Sequence, residues 1–118
     1  MGEQAPEIRV FTVAKANSAL PLVRRIVADI LEKAAGIRAL GGDDQRLPGL
    51  EAELQGYLQE LEEMGCFYKD WNFSVGLVDF PAVIDGETVF LCWRSDEAEL
   101  GFYHRIEDGF QGRRPLPK

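Results

Sequence analysis

The chain has 118 residues, 46% of them hydrophobic and 28% charged, with a formal net charge of −7. That length suits one ordinary domain and is too short for two, and the composition excludes a disordered chain. The acidic balance argues against a nucleic-acid binder, whose Lys and Arg must gather on one surface, and no stretch approaches the roughly 18 apolar residues of a membrane span.

Met1 to Glu7 reads as a mobile tail, with no basic stretch followed by an apolar one that would mark a signal peptide. Ile8 to Phe11 forms a short extended piece. Cys66 and Cys92 are isolated in sequence and do not make a disulfide framework, so a reduced, cytoplasmic protein is expected.

Thr12 is placed to cap a helix, because its hydroxyl can accept from an early helical amide. From there Val13, Ala16, Leu20, Val23, Val27, Ile30, Ala34 and Ile37 recur in steps of three and four, with Ile26 and Leu31 widening the stripe. Pro21 interrupts this pattern. Either the helix continues through it with a kink, or a fresh helix starts behind Ser18 and puts Pro21 in its first turn. Gly41-Gly42-Asp43-Asp44 ends the segment. A second stripe follows at Leu47, Leu50, Leu54, Tyr57, Leu61 and Met64, closed by Gly65. Residues 12–65 are therefore expected to form an antiparallel helical hairpin, with helices of roughly 40 Å and 25 Å at 1.5 Å per residue.

Cys66 to Val75 is aromatic and holds one short strand near Phe67 to Lys69. Asp85-Gly86 then supplies the two φ > 0 positions of a tight hairpin turn. With these two as the loop, Ile84 meets Glu87, Asp79 meets Cys92 and Leu77 meets Arg94 in a β-hairpin at 77–94. Val78, Phe80, Ala82, Ile84, Val89, Leu91 and Trp93 share the face turned to the core. Asp79, Cys92 and Arg94 share the other, and Arg94 is diagonal to Asp79 within reach of a long side chain. Leu100 to Ile106 is a further extended segment, and Gly109 and Gly112 mark turns. The expected fold is α+β, a single domain over 1–118. The long helical hairpin packs on a small antiparallel sheet, and 66–118 supplies the sheet and the C-terminal segment.

Five pieces of the chain carry a resemblance. They are FTVAKANSALP at Phe11 to Pro21, GLVDFPA at Gly76 to Ala82, VFLCWR at Val89 to Arg94, the Phe102-Tyr103-His104 step, and GFQGRRPL at Gly109 to Leu116. In order and spacing they resemble the bacterial family catalogued as domain of unknown function 2203. The resemblance implies a small bacterial protein with a helical hairpin and a small sheet, and no established activity. It also implies an aromatic residue just before the histidine, often Trp, where this chain has Tyr103.

The residues able to carry chemistry are Asp79, Cys92, Arg94, Glu97, Glu99, His104 and Arg113. No CxxC, HExxH, GxGxxG or phosphate-loop pattern occurs among them. Each has a plain structural reading. His104, the only histidine, can be a satisfied, half-buried side chain, and Cys92 a small hydrophobe. Asp79 and Arg94 can be an ion pair, Glu97 and Glu99 a solvated loop, and Arg113-Arg114 a helix cap or partners of that loop. Three function classes follow. The first is a binding or structural module that forms a homodimer through its helices. The second is a divalent-metal site, or a metal-dependent enzyme, using His104 with Asp79, Glu97 or Glu99 and Cys92. The third is a pocket for a small anionic molecule built from Arg94, Arg113 and His104, with Trp93 and Tyr103 as aromatic walls. Asp79, Arg94, Glu99, His104 and Arg113 are expected to converge beside the polar end of the hairpin.

Overall fold

A computed structural model describes residues 10–117; the tail expected at Met1 to Glu7 lies outside them. Helix α1 spans Val13–Arg38 as one uninterrupted helix with Pro21 inside it, so continuation through the proline is the alternative realised. Thr12 caps it, its hydroxyl accepting from the Lys15 amide at 3.1 Å. Ala16, Leu20, Val23, Ile26, Val27, Ile30 and Ala34 are buried, which is the stripe read from the sequence without its outermost members. Val13 is exposed and Ile37 half-buried. Helix α2, Leu47–Met64, ends at Gly65, whose φ of 92° turns the chain out of the helix. Only Leu61 of α2 is buried; the fully buried residues on the helical side of the core come otherwise from α1, with Leu54, Tyr57, Leu58 and Met64 of α2 partly buried against them.

The sheet has five strands in sequence order, all antiparallel: β1 Phe67–Tyr68, β2 Leu77–Ile84, β3 Glu87–Arg94, β4 Phe102–Arg105 and β5 Arg114–Pro115. The β2–β3 register runs from Leu77 opposite Arg94 to Ile84 opposite Glu87. Its turn is made by Asp85 and Gly86, both at positive φ. Phe11 adds a parallel bridge to Ala82 on the free edge of β2. The fifth strand was not expected; two residues carry no periodicity of their own.

Tyr68, Val78, Phe80, Ala82, Val89, Leu91 and Trp93 form one core cluster with the α1 stripe and Leu61. Two arginines lock α1 to the sheet loops. Arg24 donates to the carbonyls of Glu97 and Ala98 and lies 5.3 Å from the Trp93 ring centroid. Arg38 donates to those of Asn72 and Phe73. Gly76 is needed where β2 begins: its φ is +81°, and a Cβ there would sit 2.5 Å from a Val27 methyl. Among the described residues no helix is long and apolar enough to cross a membrane.

Candidate functional site

The sheet's second face, turned away from the helices, brings three polar side chains together. Asp79 on β2 stands opposite Cys92 on β3. His104 on β4 pairs with Phe90, two residues from Cys92 and therefore on the same face. All three are at most 3% exposed. His104 Nε2 lies 3.0 Å from Asp79 Oδ2, and its Nδ1 lies 2.8 Å from the Arg105 carbonyl oxygen.

A carbonyl oxygen only accepts, so Nδ1 carries a hydrogen and donates to Arg105. The Nε2···Oδ2 contact must then also hold one proton. Either an imidazolium donates to a carboxylate, or a carboxylic acid donates to a neutral imidazole. Burial raises the Asp79 carboxyl above its ordinary range; the charge and hydrogen bond of His104, and the charge of Lys69, pull the other way. Burial, reinforced by the Asp79 charge, pushes the Cys92 thiol up to about 12. One ligand atom from each of Asp79, Cys92 and His104 can be chosen so that all lie within 4.8 Å of one another.

These groups line a cavity of about 240 Å³. Leu77, Phe90, Ile106 and Phe110 give its apolar walls, and Lys69 stands at its exposed rim. The Lys69 ammonium lies 5.8 Å from the ring centroids of both Phe67 and Phe90. Asp70, the next residue, organises the loop behind it. Its carboxylate accepts from the backbone amides of Asn72, Ser74, Val75 and Gly76. Burial alone would raise the Asp70 carboxyl, but the four amide donors outweigh it and hold it below the ordinary value.

The remaining candidates go elsewhere. Arg94 pairs with Asp96, Nε to Oδ1 at 2.6 Å, and not with Asp79. The turn places Asp96 beside it, while β4 supplies Asp79 with a buried partner, His104. Glu97 accepts from the Arg94 amide and from Arg113 Nη2, both at 2.8 Å, which ties it into the β3–β4 loop rather than leaving it as a ligand. Glu99 is exposed and outside the cluster. The Arg113 guanidinium is held between Phe102 and Phe110, 4.0 Å and 4.7 Å from their centroids, and donates to the Cys92 carbonyl. Trp93 and Tyr103 are on the core face and line no part of the cavity. Trp93 is fully buried and donates to the Glu97 carbonyl. The aromatic walls come from Phe90 and Phe110 instead. Lys69 was missed. Its signal is the alternation from Phe67, which faces Asp79, but the pairing of a two-residue strand is not written in its sequence.

The chain belongs to the family described as uncharacterized conserved protein (DUF2203), whose profile matches residues 9–116. No curated protein and no solved structure matches it.

Proposed function

We propose that Asp79, Cys92 and His104 bind a divalent metal ion of the zinc class. The observation that carries this reading is the meeting of a carboxylate oxygen, a thiol sulfur and an imidazole nitrogen within 4.8 Å on three adjacent strands. Tetrahedral zinc with bonds of about 2.0–2.3 Å needs its ligand atoms roughly 3.3–3.8 Å apart, so the widest of these separations would have to close by about 1 Å. The Nδ1–H bond to Arg105 leaves Nε2 as the coordinating nitrogen, the arrangement that fixes a metal-binding histidine. A cation would replace the proton held between Nε2 and Asp79 and would ionise the thiol. Three protein ligands that all line the cavity would leave a fourth position for water or substrate. Calorimetric titration of metal-stripped protein with zinc tests the reading. One equivalent should bind, and Cys92→Ser and His104→Ala should each weaken it by at least about tenfold. Unchanged affinity in both variants would sink it.

A twofold dimer through the helices is a second reading. It is favoured by Leu22, 51% exposed beside a groove whose apolar lining includes Ile26 and Met64 and whose rim carries Glu60 and Glu63. Light scattering at high micromolar concentration should give twice the 13.2 kDa chain mass, and Leu22→Glu should halve it. A wild-type monomer would exclude a stable dimer. The free thiols of Cys66 and Cys92 favour a reducing, cytoplasmic setting for either reading.

A further inference from the structure

We infer that the cavity beside Asp79, Cys92 and His104 takes a small monocarboxylate with a compact apolar body, its carboxylate held between the metal's open position and Lys69. The inference rests on the metal reading above and adds the class of ligand.

Charge decides the head group. A divalent ion with an ionised Asp79, a thiolate Cys92 and a neutral His104 has no net formal charge. Lys69 lines the same cavity and has no carboxylate partner within salt-bridge distance among the described residues. It leaves the cavity with one positive charge. A monoanion neutralises that charge, whereas a phosphate dianion would leave a surplus negative charge among apolar walls. Donor supply points the same way. Phosphate sites gather several donors, usually including the planar fork of an arginine. No arginine lines the cavity, and the guanidinium of Arg113, which reaches the Cys92 carbonyl, is already stacked between Phe102 and Phe110 and bonded to Glu97. One ammonium and one metal position match the two oxygens of a carboxylate.

The walls decide the body. Leu77, Phe90, Ile106 and Phe110 offer aliphatic and aromatic surface, and the polar side chains lining the cavity are the metal ligands themselves and Lys69. At about 240 Å³ the space lies below the roughly 300 Å³ at which drug-sized pockets begin, so a body of one ring or a short branched chain is the limit. The Lys69 ammonium lies 5.8 Å from the ring centroids of both Phe67 and Phe90, a cation–π hold at the rim that needs no salt bridge to position it.

Cobalt serves as a visible probe of both layers. Metal-stripped wild-type protein is loaded with one equivalent of cobalt(II), and its spectrum is followed during titration with benzoate and, separately, with inorganic phosphate. A thiolate-to-cobalt charge-transfer band is expected on loading. Benzoate should then shift the visible ligand-field bands saturably, and phosphate should not. Lys69→Met keeps the apolar stem and removes the charge; it should keep the charge-transfer band and weaken benzoate by at least about tenfold, the effect of one charge-assisted hydrogen bond. No charge-transfer band in the wild type would overturn the metal reading and this inference together. A band with no benzoate response, a stronger response to phosphate, or equal benzoate affinity in Lys69→Met would overturn the inference alone.

Discussion

Asp79 and Cys92 stand directly opposite each other across β2 and β3, on the side of the sheet away from the helices, and both are buried. A carboxyl facing a thiol in an apolar setting is unfavourable for either ionised form. His104 relieves this by sharing a proton with Asp79, so that the pair carries no net charge.

That proton-sharing pair should be energetically coupled. Asp79→Ala leaves Nε2 of His104 buried without a partner, at a cost of about 1–3 kcal/mol. His104→Ala does the converse. The double variant should cost clearly less than the sum of the two, because both single changes break one interaction. Urea unfolding of the four proteins without metal measures the coupling; strict additivity would mean that the 3.0 Å contact contributes nothing.

The thiols give a second expectation. Burial pushes both Cys66 and Cys92 up to about 12, so neither is appreciably thiolate at pH 8. Ellman's reagent should label both only as fast as the protein opens, and both at once in denaturant. Rapid labelling of one thiol in the native protein would show that this thiol is open to solvent.

The two faces of the hairpin should differ in their tolerance of truncation. Leu91 is fully buried against the helices, and its change to Ala should cost about 2–5 kcal/mol. Glu87 flanks the turn, is exposed, and reaches Arg105 only at 3.7 Å, so Glu87→Ala should stay within about 0.5 kcal/mol. Equal losses in chemical denaturation would invert the face assignment.

Those faces were legible because each rests on a local rule. The three-four steps of α1 and α2 and the Asp85-Gly86 turn determined the helices, the β2–β3 register and the opposition of Asp79 to Cys92. What was not legible depended on pairings between elements without such a marker. Arg94 was assigned to Asp79 because only two strands could be aligned from the sequence. Once β4 is in place, His104 takes Asp79 and the short turn gives Arg94 to Asp96. Aromaticity alone suggests Trp93 and Tyr103 as cavity walls, although the same alternation that places Cys92 outward places Trp93 inward. Lys69 follows a two-residue strand and Phe110 opens a single 3-10 turn, elements too short to show a period.

The loop before β2 supplies the last expectation, through acid stability. Asp70 accepts four backbone amides, three of them, from Ser74, Val75 and Gly76, on the single oxygen Oδ2. Those donors bind the carboxylate better than the acid, so despite burial the folded protein holds this group below its ordinary value. A depressed folded pKa means that the folded state binds its proton less readily than the unfolded chain. The resulting stability is fully present above the unfolded value of about 3.9, and is lost as pH falls through the folded value. Asp70→Asn removes the charge while keeping one acceptor oxygen, and should cost about 1–3 kcal/mol at pH 7. Other carboxylates also titrate in acid, so the informative quantity is the gap between wild type and variant. Urea unfolding at several pH values should show that gap constant from pH 7 down to about 5 and shrinking below about 4. A gap that stays constant into strong acid would mean that the amides hold the neutral side chain as well as the charged one, and that Asp70 orders the loop by shape rather than by charge.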